Sequence, residues 1–193
     1  MYGEDEQNQY EQSMLKIRHL SDCVSNIPKL AAIWQDVLGR HWLPNTTLKT
    51  IKQDLSHNVT KNGLPTTLVA HDGKNPVGMV SLYEKDGLES ELTPWLADFV
   101  VDKEYQNQGV GSKLMQVALE KTTKLGYKKL HLFTFDQSLP RYYERFGWKK
   151  LAHDVYKTHP VCIMQIDLSK NTNLGFFQQY DDKLPRKKAS DSL

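Results

Sequence analysis

A glycine-bearing loop between an apolar run and an amphipathic run constrains this chain more than any other stretch. Val100-Val101-Asp102-Lys103-Glu104-Tyr105-Gln106-Asn107-Gln108-Gly109-Val110-Gly111-Ser112-Lys113-Leu114 reads as a buried strand, a polar loop, a turn and the start of a helix. Gly109 and Gly111 carry no Cβ, so the backbone there can approach a ligand and direct several N–H groups at it. The positive end of the following helix dipole adds to them, which suits a phosphate or pyrophosphate. A strand–turn–helix unit needs a sheet for the helix to pack on. The chain therefore belongs among layered α/β or α+β folds.

Periodicity fills in the rest. Residues 14–20 alternate apolar and polar side chains as a first strand does. A helix follows Ser25 or Asn26, with Pro28 in its first turn. It carries Leu30, Ile33, Trp34, Val37 and Leu38 at helical spacing and is expected to stop at Gly39. A second helix is expected over residues 45–55, with Leu48, Ile51 and Leu55 facing inward. Residues 66–70 and 76–83 form a hairpin about the turn at 71–75. The loop 84–91 is charged. Residues 95–101 are almost wholly apolar, as in a strand covered on both faces. A helix over 109–125, a strand over 130–135, a short helix over 139–146 and strands over 149–156 and 161–168 complete the order.

Composition narrows the function. The 193 residues suit one domain, expected to span 14–168 between polar tails at 1–13 and 169–193. Net charge is +2, too small to argue for nucleic acid, and the basic knot Lys183, Arg186, Lys187, Lys188 reads as a solvated run. No apolar run approaches the ~18 residues of a membrane span and no signal peptide opens the chain, so a cytoplasmic protein off the membrane is expected. Cys23 and Cys162 lie far apart and the histidines are scattered. Neither a disulfide nor a metal site is suggested, and His131 reads as a hydrogen-bonded strand histidine. The apolar patch 174–177 can dock on the domain or on a partner chain, which leaves a homodimer open.

Gln106-Asn107-Gln108-Gly109-Val110-Gly111 fits the Gln/Arg-x-x-Gly-x-Gly/Ala signature of the GNAT superfamily of N-acetyltransferases. Leu139-Pro140-Arg141-Tyr142-Tyr143-Glu144-Arg145-Phe146-Gly147-Trp148 resembles that family's Tyr-x-x-x-Gly-aromatic element. The two stand in the family's order, one helix and one strand apart. The resemblance covers roughly residues 14–168. It implies a mixed, mostly antiparallel central sheet flanked by helices, in the order β-α-α-β-β-β-α-β-α-β-β. It also implies acetyl-CoA as acetyl donor, without a metal, and direct attack by a primary amine of a small molecule, peptide or protein in a ternary complex. A non-catalytic acyl-CoA-binding module is the competing class.

Residues 106–112 (Gln106, Asn107, Gln108, Gly109, Val110, Gly111 and Ser112) are then the expected pyrophosphate loop. The resemblance also assigns Phe99, Val100 and Val101 to a splayed strand whose free N–H groups hold the pantetheine and point at the thioester oxygen. Tyr143 is the expected proton donor to the departing thiolate, since Tyr-x-x-x-Gly counts from it to Gly147, with Tyr142 as rival. The base is open between Glu91, Asp98 and water, because the stretch Trp95-Leu96-Ala97 stands where many relatives carry a glutamate. Glu84, Asp86, Glu89 and Glu91 offer an acidic lip for an amine, although a solvated loop explains them too. Trp34 and Trp42 can line the acceptor groove, with Trp34 better read as core.

Overall fold

The computed structural model describes residues 15–170. Seven strands form one sheet: β1 (Lys16–His19), β2 (Thr66–Asp72), β3 (Asn75–Tyr83), β4 (Trp95–Val101), β5 (Lys129–Thr134), β6 (Lys149–Tyr156) and β7 (His159–Asp167). Their order across the sheet is β1-β2-β3-β4-β5-β7-β6. Every neighbouring pair is antiparallel except β4 and β5. Besides a one-turn helical segment at Arg40–Trp42, four α-helices of the described residues flank the sheet: α1 (Ile27–Trp34), α2 (Leu48–His57), α3 (Val110–Lys124) and α4 (Pro140–Glu144). This is the mixed α/β architecture and element order that the sequence implies.

Each face of the sheet has its own core. Leu114, Met115, Ala118 and Leu119 of α3 pack with Leu68, Ala70, Val80 and Leu82 on one face. Leu30, Ile33 and Trp34 of α1 and Ile51 and Leu55 of α2 pack with Val69 and Met79 on the other. Leu68, Val69 and Ala70 of β2 thus alternate between the cores, as do Met79 and Val80 of β3, as the pleat requires. β4 breaks the rule. Leu96 joins the α3 core while Val100, four residues on, joins the α1–α2 core. A bulge in the β3–β4 pairing, with Asp98 at φ 48°, reverses the alternation between them. The sequence reading of β4 as covered on both faces is corrected here: Ala97, Asp98 and Phe99 are only half-buried.

α1 also departs from expectation. Gly39 does not stop it. The chain continues through a π turn at Gln35–Gly39 into the short helical segment Arg40–Trp42. Gly39 keeps helical dihedrals, φ −57° and ψ −50°. A Cβ on it would lie 2.9 Å from the Trp34 ring, so glycine serves close packing there rather than capping. α2 starts later than expected because Thr47 caps it, its side chain accepting a hydrogen bond from the Thr50 amide at 3.2 Å. The expected C-terminal tail begins as a 3-10 turn at Leu168–Lys170. The remainder of that tail, with its basic knot and the 174–177 patch, and the tail at 1–13 lie outside the described residues. No described helix is long and apolar enough to cross a membrane.

Candidate active site

β4 and β5 are joined only at their start. Trp95 pairs with His131, whose amide donates to the Pro94 carbonyl at 3.0 Å; no further pair is recorded along their length. His131 is buried, with Nδ1 3.1 Å from Pro94 O and Nε2 3.2 Å from Gln165 Oε1, the partnered strand histidine its sequence suggested. Beyond that pair the parallel strands diverge, and their facing edges line a cavity of about 490 Å³: Leu96 to Phe99 from β4 and Leu132 to Phe135 from β5.

A second cavity of about 690 Å³ lies against the glycine loop, lined by Phe99, Val101, Gln106, Asn107, Gly109, Gly111 and Ser112. Asn107 and Gly109 both adopt left-handed backbone, at φ 58° and 83°, which turns the chain sharply into α3. Gly109 is the N-cap of α3, and no side chain caps it. The first amides of that helix therefore have no intrahelical partner and open towards whatever enters. Gln106 Nε2 donates to Val101 O at 3.0 Å and Gln108 Nε2 to Glu104 O at 2.6 Å, so these two side chains brace the loop. Val110 is buried in the α3 core and Val100 in the α1–α2 core, leaving their main chain alone to serve the site. A Cβ on Gly111 would sit 3.0 Å from the Tyr142 hydroxyl and 3.5 Å from the Phe99 ring.

The cavities share Leu38, Trp42, Phe99, Asp136, Leu139 and Tyr143. Tyr143 thus stands at their junction, whereas Tyr142 lines only the loop-side cavity. Tyr143 is buried, its ring 6.3 Å from that of Phe99 and 6.1 Å from that of Trp148. Burial, reinforced by the adjacent Tyr142, pushes its phenol well above the usual range, so it stays protonated in water at ordinary pH. Trp42 reaches the junction because α1 runs on past Gly39. Its ring stacks on Phe135 at 5.5 Å.

Asp98 is the carboxylate that the β4 bulge turns into the 490 Å³ cavity. Trp34 Nε1 donates to its Oδ1 at 2.8 Å and the Tyr83 hydroxyl to its Oδ2 at 2.7 Å. The Asn58 amide in turn donates to the Tyr83 hydroxyl. Trp34 is thus both core and cavity wall, at 7% exposure. Of the expected acidic lip, Asp86 alone lines the cavity; Glu84, Glu89 and Glu91 are exposed outside it. Glu91 lines neither cavity. Asp54 on α2 also lines the 490 Å³ cavity, which the sequence reading missed. Burial, then the charge of Asp98, raises both Asp54 and Asp86, the latter to about 8. Phe133, Phe135 and Tyr156 form an aromatic wall, also unforeseen, because its members come from β5, the residue after it and β6, and meet only in three dimensions.

Comparison with known proteins bears on the fold and the family. A probable spermine N(1)-acetyltransferase of Bacillus subtilis subsp. natto (strain BEST195) is 29% identical over 75 residues, 37% of this chain and 48% of that protein. The matched segment is thus about half of that relative's length. A spermidine N-acetyltransferase chimera from Vibrio cholerae and hSSAT superposes with a TM-score of 0.61 at 21% identity, covering 82% of this chain and 98% of its own. An aminoglycoside 6'-N-acetyltransferase complexed with coenzyme A superposes with a TM-score of 0.60 at 15% identity, covering 79% and 97%. Residues 30–148, more than half of the chain, match the Acetyltransferase (GNAT) family model, so the chain belongs to the GNAT acetyltransferase family, whose acetyl donor is acetyl-CoA.

Proposed function

We propose that this protein transfers the acetyl group of acetyl-CoA to the primary amine of a small cationic acceptor, both substrates being bound at once. The observation that carries the reading is the shared wall of the two cavities, with Tyr143 in it. Donor and acceptor entering from opposite sides meet beside one hydroxyl, and direct attack needs only that meeting.

The 690 Å³ cavity is the donor side. Backbone amides from Gln108 to Ser112 hold the pyrophosphate at the uncapped N-terminus of α3. Arg145, 4.9 Å from the Tyr142 ring centre, adds a cation to that wall. The open edge of β4 at Phe99, Val100 and Val101 carries amides for the pantetheine and the thioester oxygen. Tyr143, kept neutral by burial, protonates the leaving sulfur.

The 490 Å³ cavity is the acceptor side. Carboxylates at Asp54, Asp86 and Asp98 favour a cation, and the rings of Trp42, Phe135 and Tyr156 cover its methylenes. A linear polyamine fits that description, and the curated relative is named for spermine. A thiol-release assay with acetyl-CoA tests the reading against alkyl diamines, polyamines, amino acids and peptides. Release with cationic alkylamines supports it. Acetyl-CoA binding without release on any amine overturns it in favour of a sensing module.

A further inference from the structure

Of the four aspartates that line the acceptor cavity, Asp86 and Asp98 stand under opposite conditions, and the attacking amine arrives as an ammonium that must lose a proton. We propose that Asp86 accepts that proton, while Asp98 is the fixed anion that orients the amine beside Tyr143. The assignment rests on the acetyltransferase reading above and goes beyond it by naming the base.

Asp98 is committed. Both oxygens accept hydrogen bonds, from Trp34 at 2.8 Å and Tyr83 at 2.7 Å, and the left-handed bulge at φ 48° fixes the direction of its side chain. Such a backbone at a non-glycine residue persists only where its surroundings hold it. A carboxylate so tethered makes a poor proton carrier and a good electrostatic anchor.

Asp86 is free to change. It lies on the β3–β4 loop, where the next residue, Gly87, at φ 71°, packs on the Tyr156 ring and holds the loop against the cavity. Among the described residues no hydrogen bond or ion pair is recorded for its carboxylate. Around it, the cavity presents Asp54 and His57 from α2, Lys85 from the loop, Asp98 from β4, Asp136 after β5 and Lys157 after β6. Burial is the larger cause of its displacement to about 8 and the Asp98 charge the next. That value suits a base working near neutral pH far better than an ordinary carboxylate would. Asp98, held by two donors, and Asp86, held by none, therefore divide anchoring and proton transfer between them.

The step balances. One ammonium proton passes to the Asp86 carboxylate. The freed lone pair bonds the thioester carbon, the C–S bond breaks with its electrons going to sulfur, and Tyr143 protonates that sulfur. The second proton leaving nitrogen restores the Tyr143 phenol, and Asp86 returns its proton to solvent.

The assignment is tested by thiol release from acetyl-CoA with butylamine and 1,4-diaminobutane, in wild type, Asp86→Asn and Asp98→Asn across pH. In wild type kcat/KM should rise with pH through an apparent value near 8. Asp86→Asn should lose that limb and ~10²-fold or more of kcat at neutral pH, with the defect shrinking above pH ~10, where the amine is neutral unaided. Asp98→Asn should raise the amine KM and move the limb to lower pH. The ¹³C signals of labelled aspartate carboxyls in the free protein give a readout independent of turnover. One carboxyl should titrate near 8, be missing in Asp86→Asn and shift downward in Asp98→Asn. Wild-type turnover with an unchanged Asp86→Asn profile, or no aspartate titrating above pH ~6, overturns the assignment. Absence of thiol release with every amine overturns the acetyltransferase reading and with it the role of Asp86 as base, even where a carboxyl titrates near 8.

Discussion

Gly111 and Tyr142 show how much a single side chain, or its absence, determines here. The Tyr142 hydroxyl hangs over the α-carbon of Gly111 and closes one wall of the donor cavity. A valine at 111 would push its branched carbons into that hydroxyl and the Phe99 ring, in the space proposed above for the pyrophosphate and pantetheine. Gly111→Val should therefore weaken acetyl-CoA binding at least ~10-fold by calorimetry while the circular dichroism spectrum stays native. Tyr142→Phe keeps the ring and its contact with Arg145. Since Tyr142 does not reach the acceptor cavity, turnover should fall less than ~3-fold in that variant, well below the loss expected of a general acid. The count to Gly147 prefers Tyr143 to Tyr142 in the sequence, and Tyr143 is the one of the two that lines both cavities. Asp86 was not singled out, because four carboxylates of one loop look alike until folding shows which one faces inward.

Among the elements, α1 diverges most from its sequence signal. A glycine after a helical apolar pattern reads as a stop, yet Gly39 is helical because its missing Cβ makes room for the Trp34 ring. The π turn carries the chain on to Trp42, which divides the two cavities by stacking on Phe135. Asp36 in the same turn binds Arg40 at 3.2 Å and Lys103 at 2.8 Å, tying α1 to the loop that leads into Gly109. Trp42→Ala should open the partition and raise KM for acetyl-CoA and amine together, each ~3- to 10-fold, as measured by initial rates. Loss of affinity for one substrate alone would place Trp42 on one side only. The β4 bulge was equally illegible. An aspartate inside an apolar run signals that something interrupts it, but the reversal of faces between Leu96 and Val100 depends on the pairing with β3.

At the scale of the molecule, the layered sheet and the order of elements were readable because helical and strand periods alternate clearly, and because the glycine loop and the tyrosine element bracket one helix and one strand. The acceptor cavity was not, since α2, the β3–β4 loop, β5 and the β6–β7 hairpin each supply part of it. Leu114 is fully buried between α3 and the sheet, and Leu114→Ala should cost about 2–5 kcal/mol in denaturant unfolding. The central claim is that two cavities converge on Tyr143 so that acetyl passes directly between substrates held together. It is tested most directly by initial rates of thiol release over a grid of acetyl-CoA and amine concentrations, for wild type and Tyr143→Phe. The convergence predicts intersecting reciprocal plots for wild type. It also predicts a kcat lower by ~10²-fold in Tyr143→Phe with acetyl-CoA affinity nearly unchanged. Parallel plots, or equal turnover in the two proteins, would contradict it.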